Sequence, residues 1–503
     1  MNNKNVGMIL SYVSTFLNMI IGLFLSSFLL RKLGDTEYGI YQTIASFANY
    51  LILFEFGTGT VMTRNISMCR GKNDNEETVN KNVATIWKLT NILVLVICLV
   101  SVVFYCSIDI LYSNSMSYKQ ILYGKKIFIF TTIYLIFSFY GQTCNGIILA
   151  FEKYSFASIQ NIIRMLLRTI CLVTVLSFYE FSIMIAIVDS ILGIIFSGYS
   201  FYYCKRVLKL KFSKRYFDKT ILKSSIPLCI AIFLQTIVNQ ANNNVDKFLI
   251  GIYLSPESVT MYSISLYIFS VFSSLTTIPI SINAPQINKQ LASGIKKENL
   301  IESLIKSCRL IALIGGLVIF GFISVGKQFI CIIYGSQYLD AWFIALILMI
   351  PMYINMTNGI LINLLDFYNK RMSRSIILFS TTILNIVLTL YGINKWGVIG
   401  AAIATAISTI IGQVIIMNIY YYKVLNIPVL YMFKKSYKGI LPTLIIATII
   451  SFLLGKNISN AIFSFLICGI SFVILAILGL LLFGLNEQEK STLICKLNKG
   501  GHR

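Results

Sequence analysis

The sequence is poor in charged residues and has almost no histidine, and each shortage excludes a class of protein. Charged side chains make up 12% of the 503 residues, whereas a soluble domain carries about 25%. The sole histidine is His502, so none is available for histidine-based acyl transfer at membrane depth. Hydrophobic residues make up 57% and the mean hydropathy is +0.79. A soluble or disordered chain is therefore excluded, and the composition predicts a membrane protein.

Cofactor and metal motifs are also missing from the sequence. The eleven cysteines are scattered and form no C-x-x-C pair, and no G-x-x-x-x-G-K-[ST] phosphate-binding loop occurs. We therefore expect no metal, no cofactor, no disulfide framework and no direct use of ATP.

Long apolar runs take the place of these motifs. A membrane-spanning helix needs about 20 apolar residues, and fourteen runs meet that length approximately. The sequence therefore predicts an all-α polytopic membrane protein with about fourteen transmembrane helices. The predicted spans are Met8–Leu30, Ile40–Met62, Leu89–Ile108, Ile127–Phe151, Ala157–Leu176, Phe181–Cys204, Ser225–Tyr253, Met261–Ile282, Leu310–Gly326, Ala341–Phe367, Ser375–Ile393, Gly397–Tyr421, Ile440–Leu454 and Ile462–Leu485.

The distribution of basic residues predicts the orientation of these spans. With both termini in the cytoplasm, 33 of the 42 Lys and Arg residues fall on the inner side, eight fall on the outer side, and Lys247 lies within a span. Cytoplasmic connections carry an excess of Lys and Arg. We therefore expect a multi-pass protein of the cytoplasmic (inner) membrane with both termini cytoplasmic.

Similar segments recur in the two halves of the chain. Leu33–Tyr41 resembles Leu254–Tyr262, and Asn145-Gly-Ile147 resembles Asn358-Gly-Ile360. Parallel repeats around a central substrate site are a transporter architecture. We predict a six-helix lobe over residues 1–204, a basic cytoplasmic linker over 205–224, a second six-helix lobe over 225–422, and two extra helices with a tail over 423–503.

The net charge of +23 is mostly explained by this topology. Eight basic residues lie between Lys205 and Lys223, and a cluster beside two spans is typical of contact with anionic lipid. We therefore expect membrane lipids, and no nucleic acid, as partners of this segment.

Polar side chains at membrane depth are the candidate functional residues, because they are costly there and face a cavity or a bundle interior. Gln160, Arg164 and Arg168 form one helical stripe. Amides suit sugar hydroxyls, and arginine suits phosphate. Structural interhelical bonding is the alternative for each polar residue at membrane depth, and for Asp246 and Lys247 the two interpretations are equally supported.

The sequence thus predicts two sets of site residues. The predicted cavity residues are Arg164, Arg168, Asn239, Asn242, Asn243, Asp246, Lys247, Asn18, Asn145 and Asn358. The acids proposed for ion coupling are Glu55, Asp189, Asp246 and Asp366.

Several segments, in order, are similar to those of a known family. They are Arg31–Tyr41, Phe54-Glu-Phe-Gly57, Asn244–Gly251, Tyr334–Tyr338 and Trp396–Ala402. Together they resemble the polysaccharide-transport flippases of the multidrug/oligosaccharidyl-lipid/polysaccharide exporter (MOP) superfamily. The resemblance implies two six-helix lobes with two extra helices. It also implies alternating-access export of a polyprenyl-diphosphate-linked oligosaccharide of O-antigen, capsule or exopolysaccharide type. Polysaccharide polymerase and chain-length proteins are further partners to be considered.

The sequence is also compatible with other functions. A drug exporter or a lipid II exporter of the same superfamily is the nearest. A membrane glycosyltransferase or polymerase could use Asp35 and Glu37 as an acidic pair, but acids in so short a turn more often cap a helix end. We therefore predict a transporter rather than an enzyme.

Overall fold

The computed structural model describes residues 3–487 except 73–74, 214–215, 369, 457 and 459, and it also describes residue 489. Side chains are described from residue 13 onward, apart from those of 241–243 and 371. These residues form helices joined by short turns, with no strand among them. Such a structure is expected in a bilayer, because the lipid offers no partner to backbone N–H and C=O groups. The prediction of an all-α polytopic membrane protein is confirmed.

Sixteen α-helices are present in the described part of the chain. The first seven are α1 (Asn3–Ala48), α2 (Thr58–Gly71), α3 (Glu76–Tyr112), α4 (Tyr118–Ala150), α5 (Tyr154–Phe178), α6 (Ile183–Tyr202) and α7 (Lys219–Tyr253). The next six are α8 (Pro256–Ala292), α9 (Lys297–Ile333), α10 (Asp340–Thr357), α11 (Leu361–Phe367), α12 (Arg371–Thr409) and α13 (Met417–Leu425). The last three are α14 (Val429–Tyr437), α15 (Ile440–Gly455) and α16 (Ala461–Gly479).

The described residues contain eleven helical stretches that are long and apolar enough to cross a membrane, or up to twelve if the bent pair α14 and α15 forms one span. Two stretches, Val13–Gly71 and Met372–Leu425, are 59 and 54 residues long, which exceeds the roughly 20 residues of one crossing. Each contains a kink at a glycine of positive φ, Gly34 at 74° and Gly397 at 57°. Counting each of these two stretches as two crossings, and the bent pair as one, would give the predicted fourteen, and that number stays a prediction.

Contacts between helices divide the chain into two compact units, Met1–Thr260 and Met261–Arg503. The first unit contains α1 to α7 and the first residues of α8. The predicted basic linker, 205–224, lies within this unit. The predicted lobe boundaries themselves stay predictions.

The second predicted span is interrupted in the structure. A 3-10 segment, Asn49–Glu55, follows α1, and Phe56 and Gly57 then take left-handed φ values of 50° and 65° before α2 begins. Gln240 of α7 is buried and donates its side-chain N–H to the Asn49 carbonyl. This bond gives a partner to one of the backbone carbonyls at the interruption, which a membrane interior could not solvate.

Helix α2 packs against α4 through glycine. A Cβ atom on Gly146 would lie 2.2 Å from the Gly59 carbonyl oxygen, so the two backbones come close only because Gly146 has no side chain. Thr63 donates to the Gly146 carbonyl at 2.9 Å, and the hydroxyls of Thr58 and Thr143 lie 3.0 Å apart. Small residues with such bonds are a common means of joining helices in membranes.

The second unit has its own core. One buried cluster joins α9, α11, α13 and α14 and includes Leu304, Leu364 and Met432. A second cluster joins α15 to α16 through residues that include Leu444 and Phe472. This unit contains Asn358 and Asp366 of the predicted site.

Candidate functional site: a cationic cavity in the first unit

A cavity of about 510 Å³ lies among helices α1, α4, α5 and α6 of the first unit. Its lining combines hydroxyl, amide and charged groups with apolar side chains. Two arginines, one acid and two asparagines contribute the strongest polar groups. The lining residues are Ser14, Asn18, Ile21, Gly22, Leu25, Tyr134, Asn161, Arg164, Met165, Arg168, Thr169, Asp189 and Leu192. The predicted residues Asn18, Arg164, Arg168 and Asp189 are therefore brought together in one place.

Arg168 and Asp189 form a bidentate ion pair across this cavity wall. The Arg168 Nε and Nη2 atoms donate to the two Asp189 carboxylate oxygens at 2.5 and 2.9 Å. The Asp189 side chain is 15% exposed and that of Arg168 is 37% exposed. The pairing joins α5 to α6 and holds the guanidinium plane in one orientation, while its solvent-facing part remains open to the cavity. Asp189 was considered as an acid for ion coupling, and the structure gives it this cationic partner.

Arg164 lies one helical turn before Arg168 and has no carboxylate partner among the described residues. Its Nη2 atom donates to the Tyr134 hydroxyl at 3.2 Å, and its guanidinium carbon lies 5.5 Å from the centre of the Tyr134 ring. The charges of Arg168 and Asp189 offset each other. Among the described residues, the charged side chains that line the cavity therefore carry a net charge of +1, contributed by Arg164.

A smaller cavity of about 120 Å³ shares Arg164 with the larger one. It is lined by the predicted residue Asn145, by Gln142 and by Gln160, among others. Gln160 donates to the Ser200 hydroxyl at 2.7 Å and to the Phe196 carbonyl at 3.1 Å. The stripe of Gln160, Arg164 and Arg168 thus faces the two cavities in succession, as its spacing predicts.

Glu55 is the last residue of the 3-10 segment at the interruption of the second predicted span, and it contacts Gln142. With its nitrogen toward the acid, the Gln142 amide donates to both carboxylate oxygens at 3.1 and 3.2 Å. No Lys or Arg forms an ion pair with Glu55 in the described part of the chain. Glu55 is thus a partly buried acid held by a neutral amide next to the smaller cavity.

The polar side chains of α7 that the structure describes lie outside the linings of both cavities. Asp246 is buried and interacts electrostatically with Tyr50. Lys247 is half-buried and forms no ion pair with any described residue. Asn239 is exposed and accepts a bond from Gln235 at 3.3 Å. The side chains of Asn242 and Asn243 lie outside the described residues, so the five-residue face predicted for this helix stays a prediction.

The remaining predicted residues belong to the second unit. Asn358 is buried, and its side-chain amide N–H donates to the side-chain Oδ1 atom of Asn418 at 3.1 Å, a bond that joins two segments of that unit. Asp366 is exposed. Neither residue contributes to the cationic cavity.

Two residues with polar contacts in the structure, Tyr134 at the cavity and Gln240 at the interruption before α2, were not predicted from the sequence. Tyr134 is one of several hydroxyl residues in its predicted span, and no periodic pattern distinguishes it from the other 28 tyrosines. Gln240 stands beside the predicted stripe of α7 rather than on it. Its closeness to the interrupted span depends on tertiary packing, and no sequence signal indicates it.

Glu37, one of the two acids proposed as an enzymatic pair, makes a helix-end contact in the structure. Glu37 accepts bonds from the Ser182 hydroxyl at 2.8 Å and from the Ser182 N–H at 3.2 Å, at the start of α6. An acid at a helix N-terminus is stabilising because it complements the partial positive charge there. The preferred interpretation, a helix-end contact, is confirmed for Glu37.

Comparisons with known proteins agree with this architecture. Residues 4–287 match a family model described as polysaccharide biosynthesis protein, and no curated protein matches the chain. The lipid II flippase MurJ, in an inward closed conformation, has a TM-score of 0.71 at 18% identity, covering 94% of this chain and 99% of that one. A multidrug-resistance MATE transporter in an inward-facing conformation has a TM-score of 0.60 at 14% identity, with coverages of 84% and 98%. A MOP superfamily transporter from Pyrococcus furiosus has a TM-score of 0.51 at 14% identity, with coverages of 84% and 94%. These similarities show a shared transporter fold.

Proposed function

The chain belongs to the family of polysaccharide biosynthesis proteins, and from that premise we propose that it is a flippase for a polyprenyl-diphosphate-linked oligosaccharide. The cargo is a repeat unit of O-antigen, capsule or exopolysaccharide type, and it crosses the inner membrane by alternating access. The observation that carries this proposal is the cavity in which Arg164 and Arg168 lie among amide and hydroxyl groups.

The chemistry of this cavity suits both parts of such a cargo. The guanidinium fork bonds two phosphate oxygens at once, and Arg164 adds a positive charge that no described carboxylate neutralises. Asn18 and Asn161 both donate and accept, as sugar hydroxyls require. The net positive charge of the cavity lining would repel a cationic drug, and this disfavours drug export. The MOP transporter fold similarly favours transport over glycosyl transfer.

Lipid II export is the second candidate, and one observation favours it. MurJ shares the fold over nearly the whole of both chains. Lipid II also carries a diphosphate on a polyprenol, so the same arginines would suit it. The two candidates therefore differ in the sugar that the cavity accepts.

Glu55 is the acid that we favour for ion coupling, if the flippase is driven by a cation gradient. Asp189 is already neutralised by Arg168, whereas the polar contact described for Glu55 is the neutral Gln142 amide. A poorly solvated carboxylate without a cationic partner is costly unless it takes up a proton or a metal cation. Gln142 also lines the smaller cavity, so the state of Glu55 can affect the cavity through one side chain.

Transport in proteoliposomes tests the proposal. Purified wild type, Arg164→Ala, Arg168→Ala and the double variant are reconstituted with a fluorescent polyprenyl-diphosphate-linked oligosaccharide, and flipping is followed by quenching of label in the outer leaflet. A charge-assisted bond contributes about 1.5–3 kcal/mol, so each substitution is expected to lower cargo affinity by roughly 10- to 150-fold. Arg164→Lys should retain part of the activity.

Arg206→Ala is the matched control, because Arg206 is an exposed arginine outside both cavities. Its transport is expected to equal that of the wild type. Unchanged flipping by a correctly folded double variant would overturn the proposed role of the arginines. Faster flipping of lipid II than of the oligosaccharide lipid would favour the second candidate.

A further inference from the structure

A separate pocket of about 430 Å³ lies in the second unit, between the start of α9 and the end of α13. It is lined by Lys297, Ile301, Tyr422, Lys423, Asn426 and Pro428, and we refer to it as the lysine pocket. None of these residues takes part in the cargo cavity. Two cationic side chains, an amide and a tyrosine thus surround an open space, and no carboxylate of the described part of the chain lines it.

The pocket is next to an amphipathic helix. Val429 and Met432 of α14 are buried in the core of the second unit, and this packing leaves Leu430 and Tyr431 on the outside. Leu430 is 86% exposed and Tyr431 is 51% exposed. A nearly fully exposed leucine next to a basic pocket is typical of a surface that lies in the headgroup and acyl boundary of a membrane.

The basic character continues along α14. Lys434 and Lys435 occupy its last turn, and the Lys435 ammonium lies 5.6 Å from the centre of the Tyr431 ring. The positive-inside distribution predicts that Lys297, Lys423 and these two lysines are on the cytoplasmic side. They would therefore face the leaflet that carries anionic lipid.

Helix α14 is held in place at its C-terminal end by Arg309 of α9. The Arg309 Nη1 atom donates to the Lys435 and Lys438 carbonyls at 2.8 and 3.1 Å. Its Nε and Nη2 atoms donate to the two Glu489 carboxylate oxygens at 2.7 and 3.0 Å, and Nη2 also reaches the Gly484 carbonyl at 2.9 Å. The buried guanidinium makes five hydrogen bonds, and these join the C-terminal end of α14 to α9.

We propose that the lysine pocket binds the headgroup of an anionic phospholipid. Lys297 and Lys423 attract the phosphate, and Asn426 and the Tyr422 hydroxyl donate to its oxygens. Leu430 and Tyr431 then contact the glycerol and acyl region. The exposed apolar residues favour a lipid over a soluble anion, because a free phosphate has nothing to place against them. This inference does not depend on the identity of the exported cargo.

Lipid binding to the full chain in detergent tests the inference. Native mass spectrometry is used to titrate wild type and Lys297→Ala/Lys423→Ala with phosphatidylglycerol, with phosphatidylcholine and with inorganic phosphate as competitor. Each lysine near an anionic lipid is expected to contribute about fivefold in affinity. The double variant should therefore bind phosphatidylglycerol about 30-fold more weakly and phosphatidylcholine as before.

The control is Lys119→Ala/Lys456→Ala, which removes the same charge from exposed lysines on the predicted outer side. It is expected to bind phosphatidylglycerol like the wild type. Leu430→Ser, which leaves the lysines intact, should weaken the binding of phosphatidylglycerol several-fold. An equal loss of phosphatidylglycerol affinity in the control variant would show non-specific electrostatic attraction and would overturn the proposed site. Displacement of the lipid by millimolar inorganic phosphate, or unchanged binding by a folded Lys297→Ala/Lys423→Ala variant, would overturn it as well.

Discussion

The ion pair between Arg168 and Asp189 gives the most quantitative prediction. Its charges lie about 4 Å apart, and at an effective dielectric constant of about 20 their attraction is about 4 kcal/mol. The Arg168 side chain is 37% exposed to the cavity, and solvent there screens the interaction. We therefore expect a coupling free energy of about 2 kcal/mol between the two side chains.

A double-mutant cycle measures this coupling. Asp189→Ala, Arg168→Ala and the double variant are purified in the same detergent, and their free energies of unfolding are obtained from denaturant titrations followed by tryptophan fluorescence. Asp189→Ala should be the most destabilised of the three, because it leaves a guanidinium without its carboxylate at membrane depth. The double variant should recover part of that loss.

The exposed pair Lys32 and Glu180 is the matched control. Its atoms are 3.0 Å apart, with side-chain exposures of 36% and 59%, so its coupling should stay below about 1 kcal/mol. A coupling of less than about 0.5 kcal/mol for Arg168 and Asp189 would refute the reasoning. It would mean that Arg168 is not held in position by Asp189 and takes its orientation from other contacts.

Three further predictions address packing, coupling and the C-terminal helices. Gly146→Ala should lower the free energy of unfolding by about 1–3 kcal/mol through overpacking. Gly198→Ala is the control, because no atom lies within 4 Å of the added Cβ. It should be neutral or slightly stabilising in the same denaturant titration. Glu55→Gln should leave the free energy of unfolding nearly unchanged and abolish the response of flipping to an imposed pH gradient. A response of the variant equal to that of the wild type would contradict the coupling role of Glu55. Burial raises the pKa of Glu489, but the hydrogen bonds and charge of Arg309, together with a hydrogen bond from the Asn486 N–H, outweigh that effect and leave the pKa below its usual value. The pair of Arg309 and Glu489 contributes about 2 kcal/mol to stability. This contribution is present above about pH 4.3 and is lost as the pH falls through the lowered pKa. The difference in free energy of unfolding between wild type and Glu489→Gln should therefore be constant from pH 7 to 5 and shrink below pH 4.

The sequence by itself determined the membrane class, the helical nature of the chain and one face of the candidate site. These depend on local properties, since apolar length decides a span and the three residues Gln160, Arg164 and Arg168 recur every four positions along one helix. The family resemblance also followed from contiguous segments such as Arg31–Tyr41.

Tertiary structure decided which polar groups meet. The partners Arg168 and Asp189 are 21 residues apart and lie on different helices, and no spacing rule selects one acid among the four that were considered. The interruption before α2 likewise receives a hydrogen bond from Gln240, which is 191 residues away from the carbonyl it contacts. A membrane-embedded polar group is stabilised by whichever partner packing brings within about 3 Å. That choice depends on how the helices are arranged in space, which a one-dimensional pattern does not specify.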